Sequence, residues 1–457
     1  MNQNELKHAL DMKDRLNKVG SGFCLAKWDQ VTMHLHNGMT HSCHHPAPHK
    51  IPLSEIENNH KAIHNSKQKI EQRKSMLCGE RPGGCNYCYK MEDANSDTVS
   101  DRYLKSANLF EDRFDKIISS GEGKDHLPSY LEVSFSNACN LKCNYCSPTF
   151  SSMWRQEQES SEPIMLFDDK TRERHWQYHS LQDLKNKGEL PYTNREYNPY
   201  VDAFWKWWPN LKNDLKIFRI TGGEPLMTAN TFKLLDMLKK DGNPELFLQI
   251  NTNLGVTNRK VVDFCSRVQE LIEMKHVKNI RVFTSIECTG KQAEYIRRGL
   301  NYELFLQNIS TVLETVPTAY VSFMTTYNVL TVPYFKDFLQ LIVELREKWG
   351  ERILIDIPHL KEPPHWTMNI LPKEFGRYID SDVEYMRQNG FQDFEIRKME
   401  RVREYFYNDT HNVTEEYRLN ARKDFAKFFP EYDRRSNSNL ADTFPEFTEF
   451  LKWCKEL

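Results

Sequence analysis

From about residue 128 to 360 the sequence alternates short β-branched or aromatic runs with helical patterns, and this alternation restricts the architectures open to the chain. The strand candidates are Tyr130–Asn137, Leu215–Thr221, Leu246–Asn253, Asn279–Glu287, Ala319–Tyr327 and Ile353–Leu360. In the first, Leu131, Val133 and Phe135 alternate with polar neighbours, the period of a half-buried strand. The clearest helix sets Phe335, Phe338, Leu339, Ile342 and Leu345 on one face. Strands separated by helices pair in parallel, since only a crossover of that length returns the chain to the same end of a sheet. The expected fold class is α/β, as an open sheet or a partial barrel. Where the helix after the first strand should stand there is a long insertion, residues 147–213, rich in Trp, Tyr and charge.

The flanks differ from this middle. Residues 1–20 have a charged helical pattern with no apolar stretch of the kind a signal peptide needs. Residues 21–100 are rich in His and Cys with Gly and Pro punctuation, which suggests a small ligand-stapled module. Residues 101–360 hold the alternating core, and 361–457 open on the Pro-rich KEPPHW and continue as charged, aromatic-spotted helices. At 457 residues the chain is long enough to bury a core without staples. Its 62 Lys+Arg against 64 Asp+Glu, a formal charge of −2, argue against a polyanion-binding surface, so no nucleic-acid partner is expected. No apolar run approaches the roughly 20 residues of a membrane span. A cytoplasmic, globular protein is the expectation.

Eleven cysteines are too many for a reducing compartment to leave unexplained, and tight spacing there points to metal or cluster ligands. Cys139-Asn-Leu-Lys-Cys143-Asn-Tyr-Cys146 follows directly on the first strand. Three thiolates can hold a cubane cluster while leaving one iron open to a chelating ligand, whereas zinc would want a fourth donor. Cys24, Cys43, Cys85 and Cys88 form a closed set of four, adequate for a fully ligated cluster or for structural zinc. Cys78 is spare beside them, and Cys265 and Cys454 lie in helical patterns as core thiols. His41, His44, His45 and His49 around Cys43 read as a solvated turn, and Trp205, Trp207 and Trp208 as packing.

The CxxxCxxC segment, with Tyr145 before its last cysteine, resembles the signature of radical S-adenosylmethionine (SAM) enzymes. Thr221-Gly222-Gly223-Glu224-Pro225, at the end of the second strand candidate, is similar to that family's GGEP motif. The resemblance covers roughly residues 128–360. It implies a partial (β/α)6 barrel with its site at the C-terminal strand ends, the face where βα loops converge. It further implies that Cys139, Cys143 and Cys146 ligate a [4Fe–4S] cluster whose fourth iron takes the amine and carboxylate of SAM. Tyr145 would lie near the adenine, and Gly222, Gly223 and Glu224 near the amine. Asn253 would lie beside the cofactor, Ser285 and Glu287 at its ribose, and Arg297 at its carboxylate. Cys24, Gly38 and Cys43, then Cys85-Asn-Tyr-Cys88, resemble the opening of SPASM domains in their one-cluster twitch form, here placed ahead of the barrel. That likeness implies a second, auxiliary [4Fe–4S] cluster.

The expected activity is reductive cleavage of SAM to a 5′-deoxyadenosyl radical that abstracts hydrogen from a peptide, protein or small-molecule substrate. A flavodoxin- or ferredoxin-type protein would supply the electron. The auxiliary cluster would assist an oxidation or bond formation. A sugar-type dehydrogenase and a redox-neutral epimerase are the alternatives; in the latter Cys288, ending the fourth strand, would return a hydrogen atom. A non-catalytic metal-bound scaffold is the remote one.

Overall fold

The computed structural model describes residues 3–95, 98–107, 113–166, 179–408 and 414–457; the rest, including 167–178 of the expected insertion, lie outside the described residues. Eleven strands run through these residues: β1 (Gln30–His34), β2 (Met39–His41), β3 (His49–Lys50), β4 (Tyr130–Ser134), β5 (Lys142–Cys143), β6 (Ile217–Thr221), β7 (Phe247–Thr252), β8 (Asn279–Ser285), β9 (Arg297–Arg298), β10 (Tyr320–Met324) and β11 (Ile353–Asp356). Six of them, β4, β6, β7, β8, β10 and β11, fall within the six strand candidates. The architecture is mixed α/β with parallel strand pairing. Contacts divide the chain into two compact units: Met1–Ser136 with Gly188–Gln249 and Leu271–Asn279, and Asn137–Lys187 with Ile250–Glu270 and Ile280–Leu457. The Cys-rich segment and the first strands of the alternating core thus share the first unit.

In the first unit β1 pairs in parallel with β4, and β4 in parallel with β6. A hairpin then carries β2 and β3 antiparallel beyond β1. The register aligns Val31, Leu131 and Phe218, and likewise Met33, Val133 and Ile220, all of them buried. The helix Pro199–Leu211 covers this apolar face. Its Phe204 and Trp208 rings lie 6.3 and 5.6 Å from Phe218. Asn198 caps that helix by accepting from the Tyr200 and Val201 N–H groups, and Pro199 sits in its first turn, where a missing N–H costs nothing. This is a helix from inside the expected insertion, and the packing role read for Trp207 and Trp208 holds, since both are fully buried. Elsewhere in the unit Met12, Leu16, Phe23, Trp28, Met76 and Tyr103 form one apolar cluster, against which Cys24 and Cys85 are packed.

In the second unit β8, β10 and β11 pair in parallel, and the two-residue β5 and β9 pair antiparallel. The helix Phe335–Trp349 buries Phe335, Phe338, Leu339 and Ile342 of the expected stripe, with Leu345 half-buried: Phe338 lies 5.8 Å from Phe323 of β10, and Phe335 4.9 Å from Tyr327. Residues 361–457 carry four longer helices, Gly376–Gln388, Asp393–Tyr407, Glu415–Ser436 and Thr448–Lys455. Phe428 and Phe429 of the third lie 6.0 and 5.2 Å from the buried Trp366.

Candidate functional site

The cysteine loop lies in the second unit and is held by its backbone as much as by its side chains. Cys139 N–H donates to Ser152 Oγ at 3.0 Å, Trp154 Nε1 to the Cys143 carbonyl at 2.8 Å, and Asn144 N–H to the Ile296 carbonyl at 2.9 Å. Asn253 donates to Asn140 Oδ1 at 3.0 Å and sits 3.8 Å from Cys139 Sγ, so this residue braces the loop. Burial pushes the Cys146 thiol up to about 12, with the neighbouring Cys143 adding to it. Cys143 is also raised by burial, but Arg297 opposes the shift. Three sulfur donors on one loop suit a metal centre, which takes thiols as thiolates.

Glu287, Arg297 and Tyr145 meet in the same unit. Arg297 donates through Nε and Nη2 to Glu287 Oε2 at 2.9 and 2.6 Å, and through Nη2 to the Tyr145 hydroxyl at 2.5 Å. The Tyr145 hydroxyl donates to Glu287 Oε1 at 3.1 Å. Burial pushes the Glu287 carboxyl up, against the pull of Arg297. The residues expected at ribose, carboxylate and adenine are therefore bonded to each other. Ser285 is the half-buried last residue of β8, while Cys288 is fully buried and its thiol is pushed up by that burial.

Gly222, Gly223 and Glu224 lie in the first unit, directly after β6. Gly222 has φ +129°, and a Cβ there would stand 2.6 Å from the Ser136 carbonyl and 2.8 Å from Ser134 Oγ, so only glycine fits. Gly223 N–H donates to that carbonyl at 3.1 Å. The buried Glu224 carboxylate accepts from Leu226 N–H at 2.9 Å and caps the short turn Pro225–Met227.

Cys24, Cys43, Cys85 and Cys88 line one pocket in the first unit, with His45, Asp101, Arg102 and Lys105. Burial raises Cys24 to about 11 and Cys88 to about 12, and in both the other thiols add to the shift. Among the described residues the compact metal-ligand group, with donor atoms within 4.8 Å of one another, is His44, His45 and Asp101 and includes none of the four thiols. Gly38 turns the hairpin into β2 with φ +72°, where a Cβ would stand 2.1 Å from the Tyr200 ring. The turn around Cys43 is not simply solvated as expected. His45 bonds Asp101 at 2.7 Å and lies flat on Tyr87 at 4.0 Å, and His49 meets Ser66 Oγ at 3.1 Å. These partners lie too far along the chain to be read from local sequence.

The sequence reading also passed over a polar sheet face. The register that aligns the apolar residues of β1, β4 and β6 also aligns Thr32, Glu132 and Arg219, then His34, Ser134 and Thr221. His36 Nδ1 lies 2.8 Å from Ser134 Oγ, and His34 Nε2 lies 3.3 Å from His41 Nε2. Burial holds His34 down at about 3 and His36 at about 4, so both imidazoles are neutral at pH 7. The alternation His34-Leu35-His36 was the available signal.

Comparison with known proteins bears on the class. Residues 133–342 match the family model of the Radical SAM superfamily, so this stretch carries a radical SAM superfamily domain. No curated protein matches the chain. Among solved structures, Streptococcus suis SuiB bound to S-adenosylmethionine matches at 12% identity and a TM-score of 0.36, over 70% of this chain and 64% of that one. The chain therefore spans less than two thirds of the length of that protein.

Proposed function

We propose that the protein is a radical SAM enzyme in which Cys139, Cys143 and Cys146 hold a [4Fe–4S] cluster and Cys24, Cys43, Cys85 and Cys88 hold an auxiliary one. When bound, the first cluster and SAM supply reductive cleavage of the cofactor and abstraction of a hydrogen from substrate. The chain's own part is to bind and orient. Three thiolates would leave one iron position for the cofactor, while Gly222 and Gly223 would let a ligand approach the backbone and Glu224 would present a carboxylate to an ammonium group. Tyr145, Asn253, Ser285 and Glu287 complete the cofactor's surroundings. A flavodoxin- or ferredoxin-type partner would supply the electron, and Cys24, Cys43, Cys85 and Cys88 would hold a group able to assist oxidation of the substrate.

The observation that carries this reading is the three-cysteine loop inside the matched stretch, braced by Ser152, Trp154 and Asn253. The neutral His34 and His36 beside Glu132 and Arg219 favour a substrate with hydrogen-bonding groups, whether a polar small molecule or a polar peptide side chain. Anaerobic reconstitution with iron and sulfide, followed by dithionite and SAM, should yield 5′-deoxyadenosine, and Cys143→Ala should abolish it. Wild-type turnover by that variant would overturn the assignment.

A further inference from the structure

The short ladder between β5 and β9 sets Cys143 directly opposite Arg297. Residues so opposed project to the same side of a sheet. Here the guanidinium Nη1 comes to 3.7 Å from Cys143 Sγ, within the range of an N–H···S hydrogen bond. The guanidinium is 4% exposed at the residue level and cannot swing away, because Glu287 takes its Nε and Nη2 edge and Tyr145 takes Nη2 again. Its charge also lies over the Tyr145 ring, 5.7 Å from the centroid. A cofactor carboxylate would have to compete with all of these contacts, so the arrangement aims Arg297 at the cysteine loop.

We propose that Arg297 is a positioning residue for the iron–sulfur group on Cys139, Cys143 and Cys146: it donates a charged hydrogen bond to the Cys143 sulfur and so sets the ease with which that group accepts an electron. The inference rests on the ligand assignment above. Hydrogen bonds to cluster sulfurs stabilise the more negative, reduced state and raise the reduction potential. In a buried site a donor that also carries charge acts more strongly, because little solvent screens it. Glu287 has two effects on this device. It fixes the guanidinium, and it cancels most of the positive charge that would otherwise act on the sulfur. Glu287→Gln keeps an amide oxygen to hold the guanidinium while removing the counter-charge, so it and loss of the donor should move the potential in opposite directions.

The test is an EPR-monitored redox titration of the full-length, anaerobically reconstituted protein, following the cluster signal that changes on adding SAM. Arg297→Gln should make the reduction equilibrium about tenfold less favourable, about 59 mV for one electron. Glu287→Gln should shift it the other way, and Arg297→Lys, which keeps a cationic donor, should recover part of the loss. Should Arg297→Gln fail to fold, the opposed shifts of Glu287→Gln and Arg297→Lys still decide. Unchanged potentials, or shifts of one sign in every variant, would overturn the inference while leaving the proposed function standing. A wild-type chain with no SAM-responsive signal would instead remove the proposed function itself.

Discussion

Asp29 stands at the junction that seats β1 beside β4, and its replacement by Asn tests how the cysteine-bearing hairpin is held. The carboxylate is fully buried, immediately before β1. It accepts from Arg113 Nε at 2.9 Å and again from Nη2, from Ser129 N–H at 3.2 Å and from the Ser129 hydroxyl, and His126 Nε2 lies 3.4 Å away. Ser129 immediately precedes β4, so one carboxylate ties the starts of two parallel strands to the helix Arg113–Ser119. Burial opposes charge on Asp29, but the bonds from His126, Arg113 and Ser129 outweigh it and hold the carboxyl below its ordinary range.

Breaking a buried ion pair by removing one partner costs about 3–5 kcal/mol. Arg113 keeps Asp214 at 3.2 Å and the Leu127 carbonyl at 2.7 Å, so Asp29→Asn should fall near the lower end, about 3 kcal/mol. Urea unfolding followed by tryptophan emission reads this directly. The sign of the pH dependence follows from the depressed value. The charge contributes fully above the unfolded-state pKa of about 3.9 and is lost as pH falls through the lower folded value. The wild-type advantage over Asp29→Asn should stay level from neutral pH down to about 5 and shrink below about 4. A loss under about 1 kcal/mol, or acid profiles that run parallel, would refute the view of Asp29 as the clamp.

Two further outcomes are expected. Cys85→Ala combined with Cys88→Ala should remove about four of roughly eight irons per chain while leaving SAM cleavage detectable, and elemental analysis showing zinc lost instead would favour a structural zinc site. Gly222→Ala should weaken SAM binding at least tenfold by calorimetry and cost about 1–3 kcal/mol of stability, because its Cβ meets a carbonyl already committed to Gly223; unchanged binding would take the turn out of the cofactor site.

What was legible in the sequence is what is coded locally. Tyr130–Ser134, Ile217–Thr221 and the later parallel strands announce themselves by the alternation that their own burial requires. The cysteine groups show in their spacing, the pattern by which ligands of one metal group would be recognised. Gly38 and Gly222 mark turns that only glycine can make. The helix Pro199–Leu211 is signalled by Asn198-Pro199, yet the aromatic density around it masks its period.

The features that escaped are pairings across long stretches of chain. Gln30–His34 sits inside a segment dominated by His and Cys, and its partner β4 begins 100 positions later, at Tyr130 opposite Gln30. Nothing local distinguishes such a strand from a loop until the partner's register is known. That one pairing has consequences for both candidate centres. It places the hairpin of Gly38 and Cys43 on the sheet edge, and it brings His36 to Ser134, whose Oγ lies against Gly222. The Cys-rich segment is therefore more than a satellite of the alternating core. The chain leaving its first strand brings His36 to Ser134 beside the glycine turn, so changes that loosen β1 should disturb the pocket of the four cysteines and the GGEP turn together. Asp29→Asn is the variant in which that joint effect should first be seen.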